Sequence, residues 1–294
     1  MFTIEHINGP KDFILISDVS KRTCAKISLT DGASLQELKF DNVIIIENLM
    51  DYKKSFSSAI LFPFTNRVQN GTYIYDNKRY HLDIKTAGGV NALHGFVYDK
   101  KFDFLSKKVS NNSAQITLGY KETERTNGFP YLYSIFLTYT IEKKGLSIKV
   151  DINNTDSKTF PFCIGWHPYF NSSNLSKSYI KLNTDKKLAI NKNKIPTEIQ
   201  ETYFNQEEEI GEKSFDDCFI LKDNIVCFVT PEYSIELEST LKENYLQLFT
   251  PDQKNCIAIE PMSAPSNSFN NKIGLQFLKA DENFNLTWKL KFKN

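Results

Sequence analysis

The sequence is sparing with several features that would narrow its class. Its five cysteines, Cys24, Cys163, Cys218, Cys227 and Cys256, are odd in number, scattered, and form no CxxC pair. That excludes a disulfide framework and a zinc signature, and it fits a reducing compartment. Thirty-six basic residues face 35 acidic ones for a net charge of +1, with no basic stripe, so no nucleic-acid partner is expected. Apolar runs such as Val43 to Ile46 are far too short to span a bilayer. Met1 to Pro10 lacks a basic segment followed by an apolar one, so a cytoplasmic protein without membrane attachment is expected. P-loop, GxGxxG and GxSxG patterns are also missing, which removes the usual markers of nucleotide binding and serine hydrolysis.

Aromatic residues are plentiful, with 23 Phe and 14 Tyr, and they favour pleated, half-buried surfaces. Period-2 alternation recurs. Tyr133, Ile135, Leu137, Tyr139 and Ile141 form one apolar row; Leu146, Ile148, Val150 and Ile152 form a second; Leu286, Trp288, Leu290 and Phe292 form a third. The first two flank Lys143-Lys144-Gly145 and read as a hairpin, and Tyr73 to Asp83 reads as another turning near Asp76-Asn77-Lys78. Helical periodicity is confined to a turn or two over Ser55 to Leu61, before Pro63. With no βαβ rhythm and no linker, residues 1–294 are expected to form one all-β domain, a large antiparallel β-sandwich.

Five polar islands interrupt this pattern. Asn66-Arg67, between aromatics and Gly71, offers donors to a polar ligand, or an arginine stem that covers apolar surface. His94 follows Gly88-Gly89 in the segment Asn91-Ala92-Leu93-His94-Gly95-Phe96 and is either held against a ligand or a surface loop histidine. In Gly165-Trp166-His167-Pro168-Tyr169-Phe170, Pro168 forces His167 into extended geometry, which suits an acid/base group. Trp166 and Tyr169 are candidates to stack on a sugar, or else core aromatics. Asp216-Asp217 can bind hydroxyls or form a solvated turn. Glu260 ends the apolar strand Cys256 to Ile259; partial burial there would raise its pKa and make it a better base, unless it points to water.

In this order and spacing, the segments resemble the aldose 1-epimerase (galactose mutarotase) family over nearly the whole chain. His167-Pro168-Tyr169-Phe170 and the late Glu260 are the most specific matches; Asn66-Arg67 and Leu93-His94-Gly95 are less so. The resemblance implies the galactose mutarotase-like supersandwich with a shallow sugar site. It implies Glu260 as general base, acting as carboxylate, and His167 as general acid, acting as imidazolium. It implies that Arg67, His94 and Asp216 hold the sugar, with Asp217 in place of Asp216 if the alignment slips by one. The substrate class is a free monosaccharide, an aldohexose such as glucose or galactose, and the chemistry calls for no cofactor and no metal. Two departures mark a divergent branch: Phe96 stands where a second glycine is common, and Pro261-Met262 stands where a glutamine near the glutamate is common. A glycosidase, pairing Asp216 with Glu260, and a non-catalytic sugar-binding protein are the rival readings.

Overall fold

The computed structural model describes every residue except 48–49, 86–88, 205–206 and 253–254; Gly88 therefore lies outside the described residues. Two large sheets dominate. One has nine strands in the order Asp103–Val109, Ser113–Glu122, Tyr133–Glu142, Gly145–Asn154, Asn283–Lys293, Ser234–Ser239, Ile225–Val229, Tyr179–Lys181 and Glu208–Glu209. The other runs Pro196–Glu201, Lys186–Ile190, Asp216–Ile220, Tyr245–Phe249, Cys256–Met262, Gly165–Trp166 and Ile60–Leu61, with Tyr169–Asn171 also paired to Cys256–Met262. A five-stranded meander, Phe2 to Glu47, precedes both. The described strand pairs in all three sheets are antiparallel. Among the described residues no helix is long and apolar enough to cross a membrane.

The alternating rows behave as their period demands. Tyr133↔Asn154 through Glu142↔Gly145 form the expected hairpin, and Leu286, Trp288, Leu290 and Phe292 all face inward. In the hairpin Thr72–Tyr75/Lys78–His81, Asp76 and Asn77 both take positive φ, which matches the twist of the flanking strands. Between the large sheets the core is aromatic: Trp166 lies 6.1 Å from Trp288 and Phe170 lies 6.4 Å from Phe228, centroid to centroid.

Three expectations need correction. The helical turn lies at Tyr52–Ser55 and not Ser55–Leu61: Asp51 caps its start by accepting from the Lys53 amide. Positive φ at Phe56 and Ser58 stops it, and Ile60–Leu61 joins the sheet beside Gly165–Trp166. The strand Cys256–Met262 runs through Glu260 and Pro261, so the glutamate sits within it and not at its end. Trp166 is 0% exposed, packed on Trp288 and Phe170, and so belongs to the core where a sugar cannot reach it.

Gly95 shows how tightly the loop carrying His94 is docked. At φ 75°, a Cβ on Gly95 would stand 2.1 Å from the Phe62 carbonyl oxygen, while the Phe96 amide donates to that same oxygen at 2.8 Å. Gly95→Ala should therefore destabilise the fold by more than about 1 kcal/mol in chemical denaturation; an unchanged midpoint would contradict this docking.

Candidate active site

Antiparallel register builds the site. Tyr169 pairs with Ala258, Ala258 with Phe249, and Phe249 with Asp216, which gives one row across four strands. Two residues along, Glu260 pairs with Gln247 and Gln247 with Cys218. Side chains two apart share a face, so Tyr169, Asp216, Gln247, Phe249 and Glu260 project from one patch of sheet. The strands Gly165–Trp166 and Tyr169–Asn171 flank a short gap, and their pairs Gly165↔Met262 and Tyr169↔Ala258 bring His167 opposite Glu260. Backbone bonds hold the His167 segment from both sides: His167 N donates to Ala59 O at 3.0 Å, and Ser58 N donates to His167 O at 2.7 Å.

Above this patch lies a cavity of about 160 Å³, lined by Asn66, Arg67, His94, His167, Tyr169, Asp216, Gln247 and Glu260, with Phe56, Phe249 and the segment at Lys54-Ser55 at its margin. The expected residues Asn66, Arg67, His94, His167, Tyr169, Asp216 and Glu260 thus come together, and Trp166 does not. Asp216 is the aspartate at the cavity. Asp217 projects to the other face, where Lys187 pairs with it at 2.9 Å. Gln247 was not singled out from the sequence; its only signal is a polar side chain within the buried strand Tyr245–Phe249.

One wall is a hydrogen-bonded chain. Arg67 Nη1 donates to Asn66 Oδ1 at 2.8 Å, Asn66 Nδ2 to Gln247 Oε1 at 3.4 Å, and Gln247 Nε2 to Asp216 Oδ1 at 3.1 Å. Lys194 Nζ closes the chain on Asp216 Oδ2 at 2.7 Å. Every link needs its neighbour's orientation, so the cationic and anionic ends fix both amides. Asn66 and His94 hold φ of 50° and 60°, joined by His94 N donating to Asn66 O at 2.8 Å. Such conformations persist in non-glycine residues only where the surroundings impose them.

The opposite side is drier. Glu260 Oε1 lies 3.3 Å from His167 Nε2, with the two residues 2% and 5% exposed. The His167 ring is 5.1 Å from both the His94 and Tyr169 rings. Glu260 Oε2, His167 Nδ1 and His94 Nδ1 are buried without a protein hydrogen bond among the described residues. Burial pushes the Glu260 carboxyl well above its usual range, reinforced by Asp216 and opposed by Arg67. Burial also lowers His167 to about 4 and drives His94 far below the ordinary imidazole value. Both shifts act against charge on the buried pair and favour a neutral carboxyl beside a neutral imidazole. The resemblance implies a carboxylate–imidazolium form, and desolvation works against both of its charges.

The fold and this patch define a cavity of titratable and hydrogen-bonding side chains on one face of an antiparallel β-sandwich. The aldose 1-epimerase family model matches residues 15–291, and the chain belongs to that family. It is 23% identical over 266 residues to the uncharacterized protein YihR of Escherichia coli K12, covering 86% of this chain and 85% of that one. Human galactose mutarotase is 27% identical over 202 residues, which cover 66% of this chain and 57% of the human one. A galactose mutarotase-like protein from Clostridium acetobutylicum superposes with a TM-score of 0.88 at 23% identity, over 100% of this chain and 98% of that one. Galactose 1-epimerase from Lactobacillus acidophilus NCFM superposes with a TM-score of 0.82 at 19% identity, with the same two coverages.

The raised carboxyl has a stability consequence. Above the ordinary pKa of about 4.5 the unfolded chain loses the Glu260 proton while the folded one keeps it, so this group subtracts stability as pH rises until the folded carboxyl ionises. Glu260→Gln lacks that loss. Its melting temperature should exceed the parent's at pH 7, with a margin that narrows towards pH 4.5. A margin independent of pH would mean the buried carboxyl is not held protonated.

Proposed function

We propose that the chain interconverts the α and β anomers of a free aldohexose, with Glu260 and His167 as its acid/base pair. The observation that carries this reading is the buried 3.3 Å contact of Glu260 Oε1 with His167 Nε2 at a cavity whose other wall is a row of hydroxyl-binding groups. The cavity is well below the roughly 300–1,000 Å³ of drug-sized pockets, which suits one sugar ring better than an oligosaccharide.

Ring opening removes the proton from the C1 hydroxyl and delivers one to the ring oxygen, while the C1–O5 electron pair leaves with O5. Rotation of the aldehyde and reclosure then produce the other anomer. In this reading hydrogen bonds from the bound sugar, together with Arg67, stabilise the Glu260 carboxylate. The proton passes to His167 across the short contact, which leaves Glu260 as base towards O1 and His167 as donor towards O5. Each cycle returns the pair to its starting proton count, so only proton transfers and positioning are required, and no metal or redox group enters the scheme. Arg67, Asn66, His94, Gln247 and Asp216 hold the hydroxyls, and Tyr169 supplies an aromatic face.

Polarimetry of freshly dissolved α-glucose and α-galactose tests the reading: the protein should speed mutarotation of at least one of them, with or without EDTA, and leave nitrophenyl glycosides intact. Glu260→Gln and His167→Asn should each lower turnover at least ~10²-fold while sugar binding survives. Turnover should fall near pH 4, as the pair takes a second proton, and fall again once pH passes the raised Glu260 carboxyl and it gives up the first. Release of nitrophenol would favour a glycosidase, and near-parental turnover in folded Glu260→Gln would favour a non-catalytic sugar-binding protein.

A further inference from the structure

Beside the Asp216 corner of the cavity, just outside the residues that line it, stands a charged group that the acid/base scheme does not use. Lys194 stands at the tip of the hairpin joining Lys186–Ile190 to Pro196–Glu201, and its Nζ meets Asp216 Oδ2 at 2.7 Å. The tip is built to hold it there. Asn191 Oδ1 accepts from the amides of Asn193 and Ile195, at 2.8 and 3.2 Å. Asn91 Nδ2 donates to Asn193 O at 3.1 Å, and Ser266 Oγ donates to Lys194 O at 3.4 Å. That same Ser266 Oγ accepts from the Arg67 amide at 3.3 Å, so the hairpin tip is docked onto the segment that presents the cavity's guanidinium.

Two features argue that this lysine serves the ligand and not the fold. Its side chain is 45% exposed and that of Asp216 31%, and ion pairs so open to water add little to stability. Its backbone sits at φ 60°, a conformation that glycine takes more cheaply than lysine. Asp216 also has capacity to spare. Gln247 fills one acceptor position on Oδ1 and Lys194 one on Oδ2, out of about four on an ionised carboxylate. The ammonium likewise keeps donors free.

We propose that Lys194 is a specificity-determining residue of the sugar site, forming with Asp216 a donor–acceptor pair that reads one ring hydroxyl. The inference rests on the mutarotase reading above and narrows it: the favoured substrates are aldoses that carry a hydroxyl at the position facing this corner, and analogues deoxygenated there are disfavoured. A hydroxyl donates to the free Asp216 lone pair and accepts from Lys194, whereas hydrogen at that carbon leaves both charged groups without it.

Lys194→Gly separates this role from a structural one, because it relieves the positive-φ conformation while deleting the ammonium. KM and kcat of the parent, Lys194→Gly, Lys194→Arg and the same-hairpin control Lys192→Ala are measured by polarimetry on the best aldose and on its monodeoxy series. Lys194→Gly should keep or raise the melting temperature and raise KM about tenfold or more, with kcat changed far less. Its discrimination against one monodeoxy analogue should collapse while discrimination at the other positions stays. Lys194→Arg should recover part of the loss, and Lys192→Ala should match the parent. An unchanged or lower KM in Lys194→Gly, or a loss spread evenly over the deoxy series, overturns the role of Lys194 while leaving the mutarotase reading intact. A parent protein that neither turns over any aldose nor shows a sugar-dependent melting shift overturns both.

Discussion

Glu260 lies in the strand Cys256–Met262, with neighbours on both sides and almost no contact with water, and an equally buried imidazole stands 3.3 Å away. An isolated carboxylate in such a place would be expensive to maintain, and so would an isolated imidazolium. Sharing one proton removes both charges at once. Neighbouring groups reinforce this arrangement: Asp216 raises the Glu260 carboxyl further and Arg67 only partly opposes it, while His167 is lowered by burial. The same desolvation that favours a neutral pair would make it responsive, since a ligand bringing hydroxyl donors to the unpaired Glu260 Oε2 would favour the charged form.

Such a pair has to be placed accurately, and the sheet does the placing. Register across Tyr169, Ala258, Phe249 and Asp216, and across Glu260, Gln247 and Cys218, sets the spacing of the polar groups before any loop is considered. The short strand Arg67–Val68, paired with Ala92–Leu93, and the residues flanking that pair then add Arg67, Asn66 and His94, two of them at positive φ and each tied to its neighbours by short backbone bonds. The result has two electrical characters. A charged hydrogen-bonded wall runs from Arg67 to Asp216, which Lys194 pairs from outside the lining, and a dry floor lies at Glu260 and His167.

The β architecture was legible because long strands with one buried face write their alternation plainly, as at Tyr133 to Ile152 and Leu286 to Phe292. Short elements were not: the turn at Tyr52–Ser55 depends on the cap from Asp51 and on positive φ at Phe56, neither of which leaves a periodic signal. Polar islands between aromatics identified most of the cavity, since polar groups interrupting apolar strands need a reason to be there. Trp166 was misplaced because an aromatic beside a candidate histidine looks the same in sequence whether it faces a ligand or the opposite sheet; strand alternation sends it away from the side His167 takes. Lys194 carries no local mark and Gln247 only its polarity within a buried strand; strand pairing and the docked hairpin tip bring them to Asp216. The proton's location was likewise beyond the sequence, because it depends on how completely water is excluded.

The central claim is that the ligand-free Glu260–His167 pair holds one proton, on the carboxyl. Infrared difference spectroscopy between the parent and Glu260→Gln at pH 7 reads it directly. The account predicts a protonated-carboxyl C=O band that is present in the parent, absent in the variant, and diminished when a sugar substrate is added. A Glu260 signal made up only of carboxylate bands in the sugar-free protein at that pH would contradict it.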